Sequence, residues 1–213
     1  MGIDFGIDRL ATLSNGERVA NPRHLRKMLA KLAKLQRTLA RRCKGSGRWR
    51  RRRLKVARLH ARIADSRTDF LAKLTTDLVR RFDLIGIEDL DVRGMMARRS
   101  LPRSISDVGM HAFRRMLTYK CAWYGRELRV ADRFFPSSKR CSECGFLAEV
   151  LPLEVREWCC PQCGAAHDRD QNAARNILAA GHVATARGGR VRPPAAKAAG
   201  GCARRSVNQP ALL

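Results

Sequence analysis

Four of the eight cysteines in this 213-residue chain have the spacing of metal ligands. Cys141 and Cys144 form one C-x-x-C pair, Cys160 and Cys163 form a second, and a glycine follows each pair. Each pair places two thiolates on one side of an ion, and the two pairs complete the tetrahedron that Zn²⁺ prefers. A thioredoxin-like redox centre is the alternative, but it needs only one such pair. We therefore predict one zinc ion that holds a fold, because four thiolates leave no open position for catalysis.

The other four cysteines do not fit this pattern. Cys159 adjoins the second pair but breaks its spacing, so we leave it out of the ligand set. We expect Cys43, Cys121 and Cys202 to be core, loop or tail residues rather than ligands.

Three carboxylates also stand out, because they lie among apolar residues in a very basic chain. Asp4 lies in an apparent strand, where an aspartate more often caps a turn, and Glu88 ends an apolar run, where an exposed acid is the alternative. Asp168 is better placed to cap the helix that follows it. Asp170 has helical spacing to the apolar residues beyond it, so we expect its side chain to face the sheet. These residues are Ala173, Ala174, Ile177 and Leu178.

Carboxylates that converge in a cleft repel one another unless a cation lies between them. Oxygen-only ligands suit Mg²⁺ or Mn²⁺. Two such ions, about 4 Å apart, can activate a water and stabilise the leaving oxygen of a phosphodiester. If Asp4, Glu88 and Asp170 meet in one cleft, they favour metal-dependent hydrolysis of a nucleic-acid backbone.

The first half of the chain predicts a strand hairpin and then a helical hairpin. Leu10–Leu13 and Arg18–Ala20 flank Asn15-Gly16, a dipeptide that favours a tight turn. Two long segments with helical apolar spacing follow, one beginning at Asn21 and one after the Gly-Ser break at residues 45–47. We expect these two helices to pack antiparallel.

The second half alternates between strand and helix around the cysteines. The patterns predict a buried strand at Leu84–Ile87, a helix at Ser104–Tyr124, a strand at Glu127–Asp132, a cysteine module at 141–163 and a helix at Asp168–Ala180. From residue 181 onward Gly, Ala, Arg and Pro dominate without periodicity, which indicates a disordered basic tail.

The charge of the chain points to a polyanionic partner. Lys and Arg number 44 against 19 Asp and Glu, and between Arg18 and Ala64 there are 18 basic residues and no acid. A solvated helix face is the alternative, but such faces usually carry interspersed glutamates. We predict nucleic-acid contacts, which we assign to Arg41, Arg42, Lys44, Arg50, Arg51, Arg52 and Arg53.

Several motifs occur together in a fixed order. They are Gly2-Ile-Asp-Phe-Gly-Ile7, Ile87-Glu-Asp-Leu90, Phe135-Pro-Ser-Ser-Lys139, the two C-x-x-C pairs and Asp168-Arg-Asp-Gln-Asn-Ala-Ala174. In type and order they resemble the C-terminal half of TnpB, the OrfB-type transposase-associated protein of bacterial insertion sequences. The resemblance runs from residue 2 to residue 180.

The resemblance implies an α/β fold, namely an RNase H-like (RuvC) domain with a basic helical hairpin insertion and an inserted four-Cys zinc ribbon. In that family the carboxylates that match Asp4, Glu88 and Asp170 bind two catalytic ions, Mg²⁺ or Mn²⁺. Intact members use a guide RNA to cut double-stranded DNA. The implied partners are therefore DNA and guide RNA and not a membrane, and the implied location is the bacterial cytoplasm, at the nucleoid.

On this basis the chain divides into six segments. They are RuvC strands at 1–20, the helical hairpin at 21–82, a second RuvC part at 83–136, the zinc ribbon at 137–167, a final RuvC helix at 168–180 and the basic tail at 181–213. Family members carry a long region before the first RuvC motif. Met1 stands one residue before Gly2, so we expect that region to be missing.

The predicted function is that of a metal-dependent RuvC-like DNA endonuclease of a transposable element. The main alternative is a catalytically incompetent remnant that still binds DNA or RNA. A zinc-ribbon transcription or ribosomal factor would fit the charge and the cysteines. It would not explain Asp4, Glu88 and Asp170.

Overall fold

The computed structural model describes residues 1–97 and 102–183. Strands β1 to β5 span Ile3–Phe5, Arg9–Leu13, Arg18–Ala20, Leu84–Glu88 and Glu127–Ala131. Strands β6 and β7 span Glu157–Cys159 and Ala166–Asp168. Helices α1 to α6 span His24–Ala40, Gly47–Arg81, Val92–Ala97, Pro102–Val108, Met110–Tyr124 and Arg169–Val183. From residue 184 the predicted basic tail lies outside the described residues, while residues 181–183 belong to α6.

Five strands lie side by side in a mixed arrangement. Strands β1, β2 and β3 are antiparallel, and β2 and β3 are joined through the predicted turn, where Gly16 has a φ of 93°. Strands β4 and β5 pair in parallel. A parallel bridge between Gly2 and Gly86 joins the two groups. The order across both is therefore β3-β2-β1-β4-β5.

The two faces of these strands are covered by different helices. Ile3 and Ile85 are fully buried in the main apolar core, together with Leu78 of α2 and Leu117 of α5. Because successive side chains of a strand point to opposite faces, the intervening residues face the other side, which α6 covers. These residues are Gly2, Asp4, Gly86 and Glu88.

Two glycines allow α6 to lie directly on β1 and β4. A Cβ atom on Gly2 would lie 1.9 Å from the carbonyl oxygen of Ala174, and one on Gly86 would lie 3.3 Å from that of Ile177. Ala174 and Ile177 are fully buried. Asp168 caps the first turn of α6, as predicted, by accepting the backbone N–H three residues further on at 3.0 Å.

The predicted helical hairpin is confirmed. Leu32 of α1 packs against Leu59 and Ile63 of α2 in a small apolar cluster that is separate from the main core. The start of α1 is held by the buried Asp107, whose carboxylate accepts the backbone N–H of Leu25 at 2.9 Å. The basic helices are thereby attached to the rest of the fold.

The prediction of a single helix over Ser104–Tyr124 was wrong, because α4 and α5 are separate helices. Gly109 lies between them with a φ of 74°, in the left-handed region that ends a helix. A side chain there would meet Arg67 and Leu71 at 3.0 Å. Helix α3 was not predicted from the sequence either. No helix in the described part of the chain is both long and apolar enough to span a membrane.

Candidate functional site

The four predicted cysteine ligands come together. Their Sγ atoms all lie within 4.8 Å of one another. The Cys141 and Cys163 sulfurs are 3.7 Å apart, and the Cys144 and Cys160 sulfurs are 3.6 Å apart. A tetrahedral zinc with Zn–S bonds of about 2.3 Å separates its sulfurs by about 3.8 Å. The cluster therefore fits one thiophilic ion with tetrahedral preference.

Both cysteine pairs are closed by equivalent backbone hydrogen bonds. The Gly145 N–H donates to the Cys141 carbonyl at 3.0 Å, and the Gly164 N–H donates to the Cys160 carbonyl at 2.8 Å. The two glycines have φ values of 82° and 72°, which a side chain would strain. Each half of the cluster is thus a local turn.

A histidine that the sequence analysis did not single out supports this cluster. His167 on β7 is buried, and its Nε2 lies 3.0 Å from the Sγ of Cys141. Burial raises the pKa of the Cys141 thiol to about 12 and lowers the pKa of His167. A neutral imidazole can donate an N–H to a thiolate that an ion has deprotonated, which orients that ligand.

Asp4, Glu88 and Asp170 approach one another from three different elements. Asp4 is the middle residue of β1, Glu88 ends β4 and Asp170 is the second residue of α6. Burial, followed by the charges of Glu88 and Asp170, raises the pKa of Asp4 to about 8. Burial also raises the pKa of Glu88. The charges of both other acids therefore act on Asp4, and we refer to these three residues together as the carboxylate cleft.

The carboxylate cleft has the ligand chemistry of a hard-cation site. Its oxygens suit Mg²⁺ or Mn²⁺, and such an ion would offset both the burial and the repulsion that raise the pKa of Asp4. Within the described ranges, only the four cysteines already surround a single point closely enough to hold an ion. The three carboxylates interact electrostatically, but Asp170 and Glu88 are also held by other groups.

Asp170 is held by two arginines that the sequence analysis missed. Its side chain is 18% exposed, and its oxygens lie 3.6 Å from Arg9 Nη1 and 3.3 Å from Arg156 Nη1. Arg156 also reaches Asp8 at 3.1 Å, and Arg9 also reaches Asp168 at 3.6 Å. Two guanidinium groups therefore lie beside Asp170, where a cation would bind.

Glu88 is tied to the segment that leads into the first cysteine pair. It accepts a hydrogen bond from the Ser137 hydroxyl, which keeps the pKa of Glu88 below the value that burial alone would give. The Asn176 amide of α6 donates to the carbonyls of Ser137 and Arg140 at 2.8 and 2.6 Å. Asn172 donates to the Arg140 carbonyl at 2.7 Å. Helix α6 thus fixes both the cleft and the start of the ribbon.

The predicted nucleic-acid contacts lie around the tip of the helical hairpin. All seven are exposed except Arg52, which is half-buried. An open cavity of about 320 Å³ lies there, and all of its lining residues are basic, namely Arg42, Arg48, Arg51, Arg52 and Lys55. We call these five the hairpin-tip cluster. No ion pair among the described residues involves a Lys or Arg from Arg26 to Arg62, so the protein leaves this charge uncompensated.

Comparisons with known families agree along most of the chain. Residues 1–99 match the OrfB_IS605 family, described as "Probable transposase". Residues 111–177 match the TNB domain of Cas12f1-like proteins.

Curated relatives are similar over nearly the whole chain. A Streptomyces pristinaespiralis protein named "Putative RNA-guided DNA endonuclease" is 57% identical over 193 residues, which are 91% of this chain and 48% of that protein. InsQ of Escherichia coli K12, which bears the same description, is 38% identical over 88% of this chain and 50% of its own length. The chain therefore spans about half the length of these relatives.

A solved structure has a similar fold. Cas12f1, in its cryo-EM complex with sgRNA and target DNA, aligns with a TM-score of 0.56 at 19% identity, over 83% of this chain and 48% of that one. This likeness concerns the fold alone, whereas the family matches and the curated relatives show that the chain belongs to the TnpB family of OrfB-type transposase-associated proteins.

Proposed function

We propose that this chain is the RuvC-like endonuclease portion of a TnpB-type protein, and that Asp4, Glu88 and Asp170 hold two divalent ions for DNA hydrolysis. The observation that carries the proposal is the approach of these acids from β1, β4 and α6. The strand order and the helix across one face support an RNase H-like fold. The named relatives support DNA as the substrate.

The residues around the cleft would each have a distinct role in this chemistry. Bound Mg²⁺ would activate a water and stabilise the leaving oxygen. Asp4 would exchange its proton for the cation, and Ser137 would keep the Glu88 carboxylate oriented. Arg9 and Arg156 would release Asp170 to the cation and would then lie free to pair with the phosphate charge.

We also propose that the four-cysteine cluster holds one structural Zn²⁺. The sulfur spacing fits the ion, and His167 offers a hydrogen bond to one ligand. Through Asn172 and Asn176, an ordered ribbon would fix the segment that carries Ser137. Zinc would therefore take no part in the reaction but would help to position Glu88.

The hairpin-tip cluster would bind the phosphate backbone of DNA, guide RNA or their heteroduplex. Replacing Arg51 and Arg52 with Gln should flatten the dependence of log affinity on log salt by roughly 0.7 to 0.9 for each phosphate that is no longer neutralised. Sequence preference should not change, because phosphate contacts carry no sequence information. An unchanged salt slope would show that the cluster is a solvated surface that contacts no phosphate.

Acting on DNA, the protein would work at the bacterial nucleoid.

Cleavage of supercoiled plasmid tests the nuclease proposal. The wild-type chain should nick plasmid in Mg²⁺ and not in EDTA. Asp170→Asn should lower the rate at least about 100-fold while DNA binding remains. Asp69→Asn is the matched control, because this exposed acid of α2 pairs only with Lys73 among the described residues. Equal rates in Asp170→Asn and the wild type would contradict the assignment.

A binding remnant is the second candidate, and one observation favours it. Arg9 and Arg156 lie 3.6 and 3.3 Å from the oxygens of Asp170, at the position that a catalytic cation would need. If the wild-type chain binds DNA but cuts neither plasmid alone nor plasmid with a matching guide RNA, the remnant function is correct.

A further inference from the structure

A pair of arginines lies close to Glu88, the residue that ends β4. Asp89 follows Glu88 directly and accepts hydrogen bonds from Arg114 of α5 and from Arg133, the latter at 3.0 Å. The two arginine side chains remain 45% and 47% exposed. One carboxylate therefore orients two guanidinium groups and leaves one positive charge in excess.

These three residues line two neighbouring cavities. The first, of about 380 Å³, has Glu88 on its wall and the stacked rings of Phe5 and Phe113 in its lining, with ring centroids 4.4 Å apart. The second, of about 370 Å³, is more open and ends at Phe134. Asp89, Arg114 and Arg133 line both. The two cavities thus share one wall, and we call the surface from Glu88 past the arginines to Phe134 the furrow.

Phe134 is an unusual residue to find on a surface. Its side chain is 88% exposed, although the backbone around it is fixed, because its N–H donates to the Asp132 carboxylate at 2.8 Å. The N–H of Phe135 donates to the Asp132 carbonyl at 3.0 Å. An aromatic ring is thus presented to solvent on a hydrogen-bonded turn.

We propose that this furrow binds a single strand of nucleic acid, with a phosphate on Arg114 and Arg133 and a base stacked on Phe134. The chemistry of both contacts supports this ligand. Paired guanidinium groups match the oxygens of a phosphodiester, and an exposed ring stacks any base whose face is free. Asp91 and Asp132, two of the acids that line the furrow, each accept a backbone N–H group, which offsets part of their charge.

The inference deepens the proposed function, on which it rests for its biological meaning, because the furrow would deliver the strand to Glu88. A duplex keeps its bases stacked inside and would offer none to Phe134. The furrow should therefore prefer single strands that carry bases over duplexes of equal charge.

Fluorescence anisotropy in EDTA tests the site without any cleavage. The probes are a labelled thymidine strand of about 20 nucleotides and an abasic strand of equal length and charge. Phe134→Ala should weaken binding of the thymidine strand by about 5- to 150-fold and leave the abasic strand unaffected. Phe134→Trp should restore the affinity, and its added fluorescence should be quenched by the thymidine strand alone.

Matched controls separate this site from general surface effects. Leu153→Ala removes another apolar side chain, 76% exposed in the ribbon, and should not alter either affinity. Arg133→Gln should lower the salt slope by about 0.7, whereas Arg175→Gln, at a similarly exposed arginine of α6, should not.

Two results would overturn the inference. One is an unchanged affinity of Phe134→Ala for the thymidine strand, which would show that the Phe134 ring does not bind a base and would favour a contact with another protein. The other is an equal loss for both strands, which would exclude base stacking. Failure of plasmid cleavage is a separate result, because no divalent ion is present in the binding assay.

Discussion

The ribbon and the carboxylate cleft differ in how their ligands are brought together. Each cysteine pair is a short turn closed by its own backbone hydrogen bonds, and the four thiols lie together within the fold. The cleft depends on α6 lying across β1 and β4, and its acids repel one another. An ion would therefore complete the structure of the ribbon, whereas in the cleft it would relieve an electrostatic cost of folding.

This difference predicts opposite responses to the loss of a ligand. Removing a ribbon ligand should destabilise the protein, because the four thiols, of which Cys141 and Cys160 are buried, lose the ion that holds them together. Removing the charge of the buried Asp4 should stabilise the protein while it abolishes activity. Functional sites commonly carry such a cost.

The largest effect is expected from the ribbon. Cys163→Ser should release zinc, because the ion loses one of its four ligands. The effect should be large, since a structural zinc site contributes about 10–16 kcal/mol of binding free energy. The wild type should contain one zinc per chain by elemental analysis, and the variant should lose protection from hydrogen exchange over residues 141–163. Cys43→Ser, at an exposed loop cysteine, should keep its zinc. Full occupancy in Cys163→Ser would contradict the ligand assignment.

The packing that builds the cleft is the next most sensitive feature. Gly2→Ala should lower the free energy of unfolding by about 2–3 kcal/mol, because the added methyl group overlaps the Ala174 carbonyl. Zinc content should not change, since the ribbon is local. Gly47→Ala is the matched control, because open space surrounds that position and alanine favours a helix. Equal melting temperatures for Gly2→Ala and the wild type would contradict the close approach of α6.

The raised pKa of Asp4 predicts that replacing this acid stabilises the protein at high pH and not at low pH. Its folded pKa of about 8 lies above the ordinary 3.8, so the protonated acid stabilises the fold at low pH and this contribution is lost as the pH rises from 4 through 8. In EDTA at pH 8, Asp4→Asn should raise the free energy of unfolding by about 1–3 kcal/mol. At pH 4 the two proteins should unfold alike. A lower stability of Asp4→Asn at pH 8 would contradict the buried cluster.

The smallest effect is expected from the hydrogen bond between Ser137, which leads into the ribbon, and Glu88 of the carboxylate cleft. Ser137→Ala removes the hydroxyl that lowers the pKa of Glu88, so that pKa should rise. The acid limb of the pH–cleavage profile should then move upward by about 0.5–1 pH unit, as expected for the loss of one hydrogen bond. Zinc content should stay at one per chain. A shift toward lower pH would show that Ser137 does not stabilise the charged carboxylate.

Features that depend on residues close together in the sequence could be predicted from it. The C-x-x-C spacing and the glycines that follow each pair define the ribbon turns completely. The helical spacing of Asp170 to Ala174 and Ile177 correctly placed it on the buried side of α6. The hairpin turn at Asn15-Gly16 and the strand that ends at Glu88 were also predicted correctly.

Long-range partners were missed because nothing in local spacing encodes them. Arg9 meets Asp170 from near the start of the chain, Arg156 meets it from 14 residues earlier and outside its helix, and His167 reaches Cys141 across the ribbon. The break at Gly109 was missed because apolar spacing continues on both sides of it. Its left-handed conformation reflects packing on Arg67 and Leu71, which lie about 40 residues away in α2.

Anomalous diffraction from crystals soaked in Mn²⁺ tests the central claim most directly. If Asp4, Glu88 and Asp170 form one metal site, manganese should appear among their carboxylates, with oxygen ligands at about 2.0–2.2 Å. Arg9 and Arg156 should have moved away from Asp170, and the same soak of Asp170→Asn crystals should show a weaker peak or none. Manganese bound only elsewhere, with both arginines still on Asp170, would contradict the nuclease assignment.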